Sequence, residues 1–190
     1  MAELSPFQEQ LVDYIEDAHA LEQHVNVALT ALISAAPEVP ELQDPLNRHK
    51  QETQEHIQRL EKRLEAYGRS PSKVKDAGMI FGAAGLGAIT KLRADNAGKA
   101  ARDGYTAEHL EIAAYELLER VAKRAGDEET AEVARRNRAD EEAMADTIAH
   151  SWDLALDMSF KQEGLEGAPP MGDPQSMSGA KPPKDAGTAQ

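Results

Sequence analysis

The chain has 190 residues, enough for one domain with a sizeable core, and no cysteine, which excludes disulfides and thiolate metal sites. Aromatic residues are only 4%, while alanine, glutamate, leucine and arginine are abundant, a composition suited to long helices rather than sheets. The formal charge of −13 and the lack of a long basic patch argue against nonspecific binding to nucleic acid or an anionic membrane.

The first residues, Met1 to Pro6, lack a basic segment followed by an apolar run, so no signal peptide is expected and the expected compartment is cytoplasmic. Ser5-Pro6-Phe7-Gln8 reads as a capping box with proline in the first helical position, opening a helix that runs to about Ala35. The cluster Ala36 to Pro40 ends it. Asp44-Pro45 reads as the next cap and first residue, and this second helix stops at Gly68 with Pro71 beyond. Thr106 is placed to cap a third helix reaching Ala125. Gly126-Asp127 then supplies a stop and a new cap, and a fourth helix runs from Glu128 to about Phe160.

Short links pair helices one with two and three with four as antiparallel hairpins. The stretch 69–104 between the hairpins is too long for a simple loop and is expected to hold a further helix around Val74 to Ala94. Its apolar run, Ala77 to Thr90, has 14 residues, short of the roughly 20 that a membrane span requires, so no stable span is expected. From Lys161 onward Gly, Pro, Ser, Lys and Met take over, which predicts a disordered tail over 161–190 behind a bundle over 1–160.

Polar residues stand where the core should be. Leu11, Ile15, Ala18, Glu22, Val25, Leu29 and Leu32 alternate spacings of three and four, the stripe that faces a bundle core, and one member is a carboxylate. A buried carboxylate costs several kcal/mol unless something compensates it. On helix two, His49 and His56 project from the face made by Leu46, Thr53, Ile57, Leu60, Leu64 and Tyr67, with Glu52 on its flank. On helix four, Glu141 sits within Ala134, Asn137, Met144, Ile148, Trp152 and Ala155, with Glu142 beside it and Asp146 further round. Leu110, Ala114, Leu117 and Val121 read as the core stripe of helix three. Glu111, Tyr115, Leu118 and Ala122 follow an adjacent row, and Glu108 falls in the first turn, where the helix dipole favours it.

Each of these residues has an ordinary explanation when taken alone: a paired or protonated glutamate, a solvated flank carboxylate, a satisfied core histidine. Together, four helices each offer a glutamate on or beside the inward face, and one adds a histidine a turn away. Di-iron and di-manganese bundles are built in this way, with carboxylates bridging two hard cations and imidazole completing the shell.

Three stretches, Glu16 to Glu22, Glu52 to Glu61 and Glu108 to Tyr115, resemble the ferritin-like family of bacterial stress proteins typified by YciE and YciF, relatives of rubrerythrin and bacterioferritin. The resemblance covers roughly residues 8 to 155. It implies an all-α ferritin-like four-helix bundle of two hairpins and a crossover, with a carboxylate-rich two-metal centre usually assigned to iron, in proteins linked to stress responses. The ferritin pattern is Glu-x-x-His on helices two and four. Here Glu52 and His56 are four apart, and Met144 stands where the helix-four histidine would be, with Glu108 or Asp146 as substitutes. The crossover is also more apolar and glycine-rich than the family pattern, which suits either close packing or a partner contact.

The expected ligands are therefore Glu22, Glu52, His56, Glu111 and Glu141, with Glu108 and Glu142 as auxiliaries and His49 as either ligand or support. The expected cofactors are two metal ions, iron first and manganese second. The expected partners are a small oxidant such as peroxide or dioxygen and a second copy of the chain as a homodimer. Tyr14, Tyr67 or Tyr115 would be a redox or hydrogen-bonding neighbour. With no cysteine cluster, redox cycling would need an external reductant. The alternative is a metal-free helical stress or scaffold protein that keeps the fold.

Overall fold

The computed structural model describes residues 4–35, 40–70 and 96–165. The described residues are all-helical: α1 (Pro6–Ala35), α2 (Pro40–Ala66), α3 (Ala97–Ala125), α4 (Glu128–Ala149) and α5 (Trp152–Gln162). The expected crossover helix and the tail lie outside them, apart from the first tail residues.

The punctuation near α1 and between α3 and α4 follows the sequence. Gln8 Oε1 accepts from the Ser5 backbone at 2.9 Å, and Ser5 Oγ accepts from the Gln8 backbone at 3.3 Å, closing the capping box. Gly126, at φ 74°, ends α3, and Asp127 accepts from Thr130 N at 2.9 Å to start α4. Three boundaries differ from expectation. The second helix starts at Pro40, with Pro45 inside it. Glu41, whose carbonyl loses the N–H that Pro45 lacks, is exposed, so water can take that carbonyl. The third helix starts two and a half turns before Thr106, capped by Asn96, which accepts from Lys99 N at 2.9 Å. Thr106 instead donates to Arg102 O at 2.9 Å within the helix. The fourth helix breaks at His150–Ser151, where the Ser151 backbone and hydroxyl both donate to Ile148 O at 2.9 Å and tighten the chain into a turn.

Pairings across the bundle give its topology. His19 with Glu61 and Glu9 with Arg69 set α1 antiparallel to α2. Arg138 with Glu116 and Arg135 with Glu119 do the same for α3 and α4, and His56 with Asp140 and Arg63 with Asp127 for α2 and α4. One half of the interior is apolar, built from Leu11, Val12, Ile15, Leu60, Leu64 and Leu118. Arg63 closes that end: it donates to Thr130 Oγ1 at 2.8 Å and pairs with Asp127 at 2.9 Å, which also accepts from Tyr67.

On α3 the face is reversed from the sequence reading. Leu110 is 40% and Leu117 50% exposed, whereas Glu108, Glu111, Tyr115, Leu118 and Ala122 form the buried row. Of the expected stripe, Leu110 and Leu117 therefore face outward, Ala114 is half-buried and Val121 packs at the edge of the core, while the row bearing carboxylates faces in. On α4, the bend at Ser151 takes Trp152 off the core line, so that it lies half-exposed against Tyr105 with ring centroids 5.4 Å apart. Among the described residues, no helix is long and apolar enough to cross a membrane.

Candidate metal centre

The other half of the interior is polar. Glu22 from α1, His49 and His56 from α2, Glu108 and Glu111 from α3, and Glu141 from α4 are all buried. Helix periodicity explains how each helix delivers its groups. Residues 49 and 56 are seven apart, two turns on one face, and residues 108 and 111 are three apart, neighbours on adjacent turns.

The geometry resolves into two triads that share one carboxylate. Glu22, His56 and Glu141 present donor atoms within 4.8 Å of one another, and so do His49, Glu108 and Glu141. In the first, His56 Nδ1 lies 3.1 Å from Glu22 Oε1 and 2.9 Å from Glu141 Oε1. In the second, His49 Nε2 lies 3.3 Å from Glu108 Oε2 and 3.4 Å from Glu141 Oε2. The His49 contacts are within ion-pair reach but off the hydrogen-bond line. Glu141 thus offers one oxygen to each triad.

Outside the two imidazoles stand two further carboxylates. Asp140 Oδ2 is 3.0 Å from His56 Nε2, and Glu52 Oε2 is 3.5 Å from His49 Nδ1. With Nε2–H donated to Asp140, the His56 Nδ1 lone pair faces the cluster. Tyr115 donates its hydroxyl to Glu22 Oε1 and accepts from Asn137 Nδ2 at 2.9 Å, while Asn137 Oδ1 accepts from Arg59 at 2.8 Å. Glu22 is therefore anchored by a chain of contacts reaching the edge of the bundle.

The cluster is short of compensating charge. Among the described residues, none of its four carboxylates pairs with lysine or arginine. Among the described residues, six of their oxygens make no hydrogen bond: Glu22 Oε2, Glu108 Oε2, and both oxygens of Glu111 and of Glu141, although Glu108 Oε2 and the two Glu141 oxygens lie within ion-pair reach of a histidine nitrogen. Burial pushes the Glu111 carboxyl well above its usual range, and the charges of Glu22, Glu141 and Glu108 add to this. Burial also raises Glu22 and Glu141, against the pull of His56. Burial alone would depress the histidines, but the carboxylates facing them prevail: His49 is lifted to about 9, led by Glu108, and His56 to about 10, led by Glu141 and Glu22. Burial and the Glu22 charge drive the Tyr115 hydroxyl well above its ordinary value.

Of the residues singled out in the sequence, the structure brings together Glu22, His56, Glu108, Glu111, Glu141 and His49. Glu52 is not with them but behind His49 and half-exposed. Glu142 is 57% exposed and lies 3.5 Å from Arg138, and Asp146 also faces out, beside His150. Both are one helical step or more off the inward line of α4. Glu108 does not serve the helix dipole, because the earlier start of α3 places it deep within the helix. Tyr67 belongs to the opposite end, with Asp127, and Tyr14 packs on the apolar cluster. The outer roles of Asp140 and Asn137 were not assigned from sequence. Asn137 carried a signal, a polar residue on the α4 core stripe, whereas Asp140 carried none beyond standing next to Glu141 and Glu142 in the sequence.

A family model described as a domain of unknown function (DUF892) matches residues 6–156, and the chain belongs to that family. Solved structures share the fold. A Xanthomonas campestris pv. campestris protein aligns with a TM-score of 0.68 at 24% identity, covering 84% of this chain and 99% of its own. YcfI, described as a putative structural protein from Rhodopseudomonas palustris, aligns with a TM-score of 0.58 at 21% identity over 77% of this chain and 95% of its own. The E. coli stress protein YciF aligns with a TM-score of 0.59 at 17% identity over 85% of this chain and 99% of its own.

Proposed function

We propose that this member of the DUF892 family is a ferritin-like protein that binds two divalent metal ions, iron or manganese, between its two triads. His56 and Glu22 would hold one ion and His49 and Glu108 the other, with Glu141 facing both triads and Glu111 as a further carboxylate of the cluster. The observation that carries the reading is the division of Glu141, one oxygen to each histidine triad, inside a cluster where, among the described residues, Glu22 Oε2 and both Glu111 oxygens have no partner. Four carboxylates and two neutral imidazoles balance two divalent charges, and hard oxygen donors with imidazole suit iron and manganese. The donor set also answers the absent helix-four histidine: two histidines on α2 supply what the ferritin pattern draws from two helices.

Two such ions would supply one-electron chemistry toward peroxide or dioxygen, the role we assign in a stress response. The chain's own part is positional. Asp140 and Glu52 fix the histidine rings from behind, Tyr115 and Asn137 fix Glu22, and the surrounding apolar residues exclude water. The alternative, a metal-free structural bundle, rests on the two histidines, which when protonated offset two of the four carboxylates. Among the described residues it leaves both oxygens of Glu111 without a partner.

Elemental analysis of protein purified without chelator, beside Glu22→Ala/Glu141→Ala, tests the proposal. About two equivalents of iron or manganese per chain, lost in the variant, are expected. If no metal is bound and none is taken up on anaerobic Fe(II) addition, the metal-free bundle is the better account.

A further inference from the structure

A cavity of about 140 Å³ opens between the end of α1, the first turns of α2 and α3, and the α4–α5 bend. Its wall is largely apolar, with Leu29, Leu46, Ala101, Met144 and Ile148 among the lining. An enclosed apolar cavity of roughly 150 Å³ accepts a benzene-sized guest, so the volume here is enough for one. That is far more room than hydrogen peroxide or dioxygen requires. The polar groups in the wall are mostly committed or peripheral. Thr147 donates to Ala143 O and Ser151 to Ile148 O, both at 2.9 Å, and Glu41 and Gln162 are exposed at the rim. Glu108 is different: it is buried in the wall, its Oε2 has no hydrogen-bond partner, and it belongs to the His49 triad. The cavity and the centre therefore meet at one carboxylate.

Gly104 gives a second indication. Glycine inside a helix is less favourable than alanine, so its presence calls for a local reason. At Gly98 the reason is packing, since a Cβ there would sit 3.2 Å from Ser159 Oγ. At Gly104 a Cβ would meet, among the described residues, only Ile148 Cδ1, at an ordinary 3.5 Å. What a side chain at 104 would occupy is the cavity itself.

We propose that this cavity takes the apolar body of a small organic hydroperoxide, benzene- to cumyl-sized, with its oxygen end at Glu108. The identity of the oxygen end rests on the metal-centre reading. Occupation of the cavity does not depend on it and can be measured without metal. The full chain, stripped of metal, is titrated with 2-phenyl-2-propanol, the redox-inert alcohol counterpart, and with isopropylbenzene, by calorimetry and by ligand-observed NMR. Saturable binding of one equivalent is expected, with the alcohol about tenfold tighter through a hydrogen bond to the Glu108 carboxylate. Gly104→Leu fills the space, and its gain in helix propensity keeps the variant folded; it should weaken both ligands about tenfold or more while leaving metal content unchanged. Absence of saturable binding, or equal binding by Gly104→Leu, overturns the pocket and leaves the metal centre standing. Equal affinity for the two ligands overturns the placement at Glu108. Ligand binding in a protein that takes up no metal overturns the hydroperoxide assignment.

Discussion

Replacing Glu111 by glutamine should stabilise the metal-free protein and weaken the metal-loaded one. Glu111 is fully buried, neither oxygen has a hydrogen-bond partner, and Glu22, Glu108 and Glu141 all oppose its charge. Glutamine keeps the shape, removes the charge and adds two N–H donors among carboxylate oxygens that lack partners. Relief of an unpaired buried polar group is worth about 1–3 kcal/mol. For a chain of this size that raises Tm by about 2–12 °C. The sign with pH is fixed by the raised carboxyl: the wild type suffers no penalty below pH ~4.5, where the group is protonated in both states, and the penalty grows as pH rises above that value. The advantage of Glu111→Gln should accordingly be smaller near pH 4 than at pH 7. With metal the order reverses. Wild type gains about 2.7 kcal/mol per site at a hundredfold excess over Kd, and the variant gains less because a carboxylate of the cluster is missing. The assay is paired calorimetric melts in EDTA and in Mn(II). A Glu111→Gln protein that melts below wild type in EDTA and shows the same Mn(II) shift would refute the reasoning.

Metal-free stability should fall as pH rises from about 6.5 through 9–10. The folded protein retains protons on His49 (about 9) and His56 (about 10) that the unfolded chain releases near 6.5. Urea midpoints in EDTA at pH 7, 8.5 and 10 check this, and a flat or rising trend would sink it. Metal affinity should rise over the same range because protons compete for the same nitrogens. Asp140→Asn, which alters the group behind His56, should lower metal affinity about 10- to 100-fold in chelator competition without changing the urea midpoint appreciably. An unchanged affinity would remove Asp140 from the centre. Asp127→Ala takes away the α4 cap and the partner of Arg63 and Tyr67, so it should cost about 2–4 kcal/mol by urea denaturation while leaving metal stoichiometry intact. Asp127 is held at about 2 by Thr130, Tyr67 and Arg63 against the opposing effect of burial, so that contribution is present above pH ~4 and lost as pH falls toward 2.

The sequence by itself determined the helices of both hairpins and much of the cluster. Glu22 on the α1 stripe and Glu141 on the α4 stripe were legible because each breaks a run of apolar residues at regular helical spacing, a pattern set by the 3.6-residue turn alone. Likewise Ser5, Gly126 and Asp127 act on their own neighbours, so their capping roles do not depend on the rest of the fold. Only tertiary structure decided which face of α3 turns inward. Both its rows have helical periodicity, and Leu110 and Leu117 of the more aliphatic one face out because Glu108 and Tyr115 of the other meet groups on other helices. The place of Glu52 was decided in the same way: its position on the flank of α2 is equally compatible with facing the cluster and with standing behind His49. Periodicity fixes a residue's direction around its own helix axis, but how that helix is rotated against its neighbours depends on all the faces packed together.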